Sequence, residues 1–227
     1  MKVEYIDHMG TDESIVRAAR VSFAADCRIE KVDGGTFPSE DTVERKPKDA
    51  KLIKYLAVHN HWTPFAHTAI TLRVTAPLPI RTQCFKHKQG FVENEESRRY
   101  ISSEPTFFFP RFRETCKNKK QGSGDTLGPS ELQDAEATYE EAIEYAKERY
   151  EMLLDLGVCE EQARFVLPQG TEVNWYWTGS LAAYARFARQ RMDSHAQLEI
   201  QELAKEISDI IAPLFPVAWA QLVGETI

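Results

Sequence analysis

Gln83-Cys84-Phe85-Lys86-His87-Lys88-Gln89-Gly90-Phe91-Val92-Glu93-Asn94-Glu95-Glu96-Ser97-Arg98-Arg99-Tyr100 is the stretch on which the reading of this chain turns. Its eighteen residues carry four lysine or arginine side chains, a histidine, three carboxylates and a serine. No single period of 2 or 3.6 runs through it. Cations packed beside acceptors and a hydroxyl suit a bound anion such as a phosphate. The alternative is a solvated, charged surface. Against it, Phe85, Phe91, Val92 and Tyr100 tether the charges to a packed body. Gly90 marks a point where the backbone needs unusual dihedrals or approaches a ligand closely.

The chain has 227 residues and 42% hydrophobic content, enough for one substantial core and a single domain over 1–227. A net charge of −7 argues against a protein that grips nucleic acid through its phosphates, so the basic residues near 81–99 form a local patch. A small anion is the expected ligand. The cysteines, Cys27, Cys84, Cys116 and Cys159, form no Cys-x-x-Cys pair and no zinc spacing, and read as packed residues. Met1-Lys2-Val3-Glu4 opens no signal peptide, so a cytoplasmic location is expected. No apolar run approaches the ~18 residues of a membrane span.

Working outward, residues 2–6 read as a strand, and Thr11 or Asp12 caps a helix carrying Ile15, Val16 and Ala19. Residues 30–48 read as a loop and 49–58 as a helix with Leu52, Ile53 and Leu56 on one side. His59, His61 and His67 invite a metal reading, but Pro64 breaks the helical spacing and no carboxylate lies inside the run, so no metal is assigned. Residues 68–75 alternate as a half-buried strand, with Ile70, Leu72 and Val74 inward. A helix is expected over 80–88, with Gln83, Lys86 and His87 sharing a face.

Phe107-Phe108-Phe109-Pro110 reads as a strand or lid edge, and 113–129 as a polar loop. Ser130 with Gln133 forms a capping-box pattern for a long helix to about 156, ended by Gly157. Leu132, Ala135, Tyr139, Ile143, Ala146, Tyr150 and Leu153 stripe one side of it, as core or as a partner-helix face. Arg164 sits among apolar residues in a short helix stopped by Pro168, where it needs an ion pair or an anion. Residues 171–177 read as a strand with Val173, Trp175 and Trp177 on one face. A helix follows to Arg191, capped within 178–180, and then another to about 211.

The central stretch resembles the signature of flavin-dependent thymidylate synthases: Arg-His-Arg, a spacer of about seven residues, and a serine within Asn-Glu-x-Ser-x-Arg-Tyr. Here Asn94-Glu95-Glu96-Ser97-Arg98-Arg99-Tyr100 meets the second half throughout, Lys86-His87-Lys88 stands for the first, and eight residues separate Lys88 from Ser97. Further matches are His61-Trp62-Thr63-Pro64-Phe65, Ala163-Arg164 with Leu167-Pro168, and Arg191 with Asp193-Ser194-His195-Ala196-Gln197. Ser180 and Ala182 stand where the family often has asparagine and arginine.

The resemblance implies an α+β fold, a small antiparallel or mixed sheet flanked by long helices. It is not a Rossmann fold, and no GxGxxG is present. It implies reductive methylation of dUMP to dTMP with FAD bound, methylenetetrahydrofolate as carbon donor and NADPH as hydride source, in a homotetramer whose subunits share sites. Arg191 is then the catalytic residue, an always-charged guanidinium that stabilises negative charge on the uracil edge. Nucleotide binding falls to Gln83, Lys86, Glu95, Glu96, Ser97, Arg98, Arg99, Arg164 and Arg191. Flavin binding falls to His61, Thr63, Lys86, His87, Lys88, Glu95, Ser180 and Arg186. Two rivals are a flavin and nucleotide binder without methylation, and a single-stranded nucleic-acid binder stacking bases on Phe85, Phe91 and Tyr100.

Overall fold

Ile70, Leu72, Val74 and Ala76 alternate along strand β2 (Ala69–Pro77) and are all 0% exposed. That strand lies inside an antiparallel sheet of order β1-β2-β4-β3, completed by β1 (Lys2–Met9), β3 (Phe91–Glu95) and β4 (Glu172–Gly179). The computed structural model describes residues 1–23, 47–101, 103–116 and 122–224. Most of the loop expected over 30–48, Cys27 and part of the loop at 113–129 lie outside these residues.

The expected strands at 2–6, 68–75 and 171–177 are present, the first extending to Met9 with a register break between Tyr5 and Asp7. β3 is a strand that the sequence did not announce. Its residues Phe91, Glu93 and Glu95 share a face, and two carboxylates on that face hide the alternation. The indole of Trp177 stacks on Phe91 with centroids 4.3 Å apart and meets Tyr184 and Phe187 edge-on at 5.4 and 5.0 Å. The Tyr184 hydroxyl donates to the Trp177 carbonyl at 2.7 Å, which satisfies the one polar atom of a buried ring.

The core lies between one face of the sheet and the helices α1 (Asp12–Arg20), α2 (Pro47–Val58), α6 (Leu181–Arg191), α7 (Leu198–Ile211) and α8 (Pro216–Val223). α3 (Leu78–Cys84) follows β2, while α4 (Pro129–Asp155) and the single turn α5 (Glu160–Ala163) precede β4. The sheet's other face is polar: Thr71 and Thr178 pair hydroxyls at 2.9 Å, and Arg73 Nε donates to Asn174 Oδ1 at 3.1 Å.

α4 departs from expectation at its start. Gly128 precedes the helix and Pro129 opens it, so Ser130 lies inside the first turn and does not cap. The fixed φ and missing N–H of proline suit that first position better than Ser130 does. Its end is as expected, with Gly157 at φ +83°. Every residue of the expected stripe on α4 is at least half-buried, and the helix packs on α5 and on the tight turn Arg164–Val166. The strand expected near 107–110 shrinks to one bridge, Phe107 with Thr171.

α8 takes its N-terminal cap from the far end of the chain. The Asp12 carboxylate, buried, accepts from the backbone N–H groups of Val217 and Ala218, both at 2.9 Å. Phe215, the local N-cap, offers no side-chain acceptor. Asp12→Ala leaves these donors without their carboxylate, and is expected to lower the unfolding free energy by about 1–3 kcal/mol. Urea denaturation checks this; an unchanged midpoint contradicts it.

Candidate active site

The helix expected over 80–88 stops at Cys84. Residues beyond it turn instead of coiling, with the His87 N–H on the Cys84 carbonyl at 3.0 Å and the Lys86 N–H on the Gln83 carbonyl at 3.3 Å. Gln83 and His87 therefore do not share a helix face. The turn is forced by the need to enter β3 while Phe85 stays packed edge-on against Trp175 at 5.6 Å. Cys84 is sealed beneath, its thiol pushed up to about 12 by burial, which makes it a packing residue and not a nucleophile.

The turn brings two distant signature segments together. Arg191, the last residue of α6, donates from Nε to His87 Nε2 at 2.9 Å. Gln83 donates from Nε2 to Gln197 Oε1 at 2.7 Å. Burial first, and then the guanidinium groups of Arg191 and Arg186, press His87 down to about 4, so the imidazole is neutral at ordinary pH.

A second cluster sits where β3 ends. Arg81 of α3 forms an ion pair with Glu95, Nε to Oε2 at 2.8 Å. Burial nevertheless raises the Glu95 carboxyl above its usual range, and the charges of Arg81 and Arg164 only partly offset it. Arg99 Nε reaches Glu161 Oε2 at 3.3 Å, and Arg164 Nε donates to the carbonyl of the same Glu161 at 3.2 Å. Two guanidinium groups thus gather at α5, and the Ser97 hydroxyl accepts the Arg99 N–H at 3.3 Å.

Glu96 is held by Asn174, whose carbonyl accepts the Glu96 N–H at 2.8 Å. Arg98 turns elsewhere, onto the carbonyls of Ser103 and Glu104 at 2.8 and 3.3 Å. The lysines of the triplet divide: Lys88 pairs with Glu93 and lies over Phe85, while Lys86 is exposed and makes no ion pair among the described residues. Arg81 was not singled out from sequence. Its partner Glu95 lies on the unannounced strand, so no spacing rule connected them.

Two adjoining cavities open beside α6, of about 580 and 500 Å³, sharing Trp62, Gln89, Ala182 and Arg186 as walls. His61 lines the first, and Ser180 the second. Thr63 begins the 3-10 turn Thr63–Ala66, fixed beside α6 by Thr68, whose hydroxyl donates to the Phe65 carbonyl at 3.1 Å and accepts the Leu181 N–H at 2.9 Å. Ser180 is the N-cap of α6, accepting the Ala183 N–H at 3.3 Å. The Arg186 guanidinium donates to the Gln89 carbonyl. The second cavity is walled mainly by apolar groups and the first by polar ones, with the Arg186 guanidinium between them, an arrangement that suits a planar ring system carrying phosphate. Among the described residues no group of three or more His, Cys, Asp and Glu side chains is placed to hold a metal ion, and no helix is long and apolar enough to cross a membrane.

Gln89 and Gly90 join the turn to β3. Gly90 has φ +81°, and a Cβ there would lie 3.0 Å from Ala183 Cβ. Gly90→Ala is expected to lower the unfolding free energy by about 1–3 kcal/mol, from backbone strain and crowding against α6. Chemical denaturation checks it, and a variant as stable as the parent contradicts it.

Residues 4–217 match the profile of a family described as "Thymidylate synthase complementing protein". A flavin-dependent thymidylate synthase of Thermosipho africanus is 34% identical over 212 residues, covering 93% of this chain and 86% of that one. One from Thermus thermophilus is 34% identical over 219 residues, covering 96% and 74%. Among solved structures, a UMP/dUMP methylase of Streptomyces cacaoi bound with 5-Br dUMP superposes with a TM-score of 0.82 at 29% identity, covering 97% of this chain and 93% of that one. The same methylase bound with 5-Br UMP gives a TM-score of 0.80 at 27% identity.

Proposed function

The chain belongs to the family of flavin-dependent thymidylate synthases, and from that premise we propose that it methylates dUMP to dTMP with bound FAD, taking the carbon from methylenetetrahydrofolate and the hydride from NADPH. The observation that supports this reading most is the meeting of the two signature segments in one chain, Arg191 on His87 and Gln83 on Gln197.

C5 of uracil is a weak nucleophile, and its reactivity rises when negative charge on N3, O2 or O4 is stabilised. Arg191 supplies a fixed positive charge for that edge, stronger for the growing charge of the transition state than for the neutral ring. The phosphate is assigned to Arg99, Arg164, Ser97 and Gln83, with Lys86 and the segment Glu96 to Arg98 around it. Guanidinium groups at α5 offer the paired donors that a phosphate accepts. Arg99 rests on Glu161, an exposed pair that a phosphate dianion displaces at little cost. Among the described residues no base hydrogen-bonds the Ser97 hydroxyl, which serves to position the nucleotide.

FAD is assigned to the cavities beside α6, which His61, Ser180 and Arg186 line; Thr63, Lys86, His87, Lys88 and Glu95 line neither cavity and are assigned to the parts of the cofactor that extend beyond them. The mainly apolar second cavity, the polar first one and the Arg186 guanidinium shared between them support that fit. When bound, the flavin supplies the redox chemistry and relays the one-carbon unit; the protein orients and excludes water. The reading extends to a homotetramer with shared sites, a single domain and a cytoplasmic location.

Purified protein, given dUMP, methylenetetrahydrofolate and NADPH, is expected to form dTMP, and leaving out any one should stop it. Bound flavin that bleaches with NADPH without dTMP would instead identify a binder that lacks methylation. Arg191→Ala should remove turnover while flavin stays bound, and unchanged turnover refutes its role. Arg99→Ala should raise the apparent dUMP constant on the order of 10-fold or more; an effect confined to NADPH refutes that assignment.

A further inference from the structure

Arg191 ends α6 on a solvent-facing turn, where a long side chain has many rotamers and a fixed direction must be imposed from outside. What imposes it is the imidazole of His87. We propose that His87 is a positioning residue for Arg191: its Nε2 accepts the Arg191 Nε–H and thereby aims the two terminal amino groups of the guanidinium at the nucleotide. This rests on the functional reading above and adds a role for the central residue of the Lys-His-Lys triplet.

The geometry supports it at each step. The Nε to Nε2 distance is 2.9 Å, a full hydrogen bond. A guanidinium has five N–H donors in a planar fork. One is spent on His87, and among the described residues neither terminal nitrogen donates to a protein acceptor. Four donors are therefore left in a plane whose orientation Nε fixes, as bidentate recognition of a planar imide edge requires. The acceptor is itself held. The His87 N–H is on the Cys84 carbonyl at 3.0 Å, and its ring packs edge-on against Phe187 with centroids 5.0 Å apart. Because Nε2 accepts, the proton of the neutral ring is on Nδ1.

The choice of imidazole has a physical reason. A carboxylate at this position would orient the guanidinium equally well, but would neutralise the charge that the uracil edge calls on. A neutral acceptor orients and leaves the charge whole. Burial and the guanidinium groups of Arg191 and Arg186, on the helix facing it, keep the ring neutral down to about pH 4. Lys86 and Lys88 flank it on its own segment. The hydrogen bond thus persists across the pH range in which a free histidine, of pKa about 6.5, would have lost it.

The test has two arms. The first needs no turnover: nitrogen NMR of His87 in the flavin-loaded protein and in Arg191→Met. The wild-type ring is expected as the Nδ1–H tautomer, without titration between pH 8 and 5. In Arg191→Met the tautomer preference is expected to relax and the titration to move up. A ring that titrates near its free value, or one that Arg191→Met leaves unchanged, overturns the proposal.

The second arm compares His87→Gln, a neutral acceptor, with His87→Glu, a charged one, and His87→Leu, which has none. With flavin content matched by absorbance, His87→Gln is expected to keep kcat within about 10-fold, while the other two lose on the order of 100-fold. Equal kcat in His87→Leu and wild type overturns the proposal. If the wild type makes no dTMP, the functional reading fails, and the NMR arm still decides whether His87 orients Arg191.

Discussion

The antiparallel pairing of β2 with β4 is the constraint from which the site follows. Its register sets Ile70 against Gly179 and Pro77 against Glu172, so the exit of each strand lies beside the entry of the other. α3 leaves from the Pro77 end, and α6 starts at the Gly179 end and runs back along the sheet. Eleven residues of α6 cover roughly 16 Å, enough to return Arg191 to the turn that follows α3. Residues more than a hundred positions apart are thereby brought into hydrogen-bonding distance by backbone pairing alone. Trp175 and Trp177 hold the register, because a slip by one residue would turn both buried indoles to the polar face.

On that frame the electrostatics are local. An acidic chain concentrates Arg81, Arg99, Arg164, Arg186 and Arg191 around one end of the sheet and one side of α6. Arg164 and Arg186 each rest on a backbone carbonyl, and the other three on side chains. Arg81 is held by a half-buried carboxylate, Arg186 by a carbonyl, and Arg191 by a neutral imidazole. Only an exposed carboxylate competes with an incoming anion for Arg99, and exposed pairs contribute little.

Much of this was legible beforehand, for identifiable reasons. β2 alternates without interruption, and the stripe on α4 keeps a helical period for its whole length, so both were visible. β3 was not, because two of its inward residues are carboxylates that pair with Arg81 and Lys88, contacts made by folding and not by spacing. The length of α3 was overestimated because Lys86, His87 and Lys88 are good enough helix residues. The demand that ends the helix, the approach to β3 through Gly90, is tertiary. The motifs marked the candidate side chains as chemically unusual, but the contact between His87 and Arg191 depends on the strand register and could not be read from either segment.

The central claim is that the two signature segments fold together around a uridine monophosphate lying against a flavin. Titration of dUMP into the flavin-loaded protein, followed by the flavin absorbance difference spectrum, tests it most directly. The account predicts a saturable perturbation of the flavin band at one nucleotide per chain, as contact between the pyrimidine and the isoalloxazine would produce. A protein that cannot be loaded with flavin, or a flavin spectrum that saturating dUMP leaves unmoved, would contradict it.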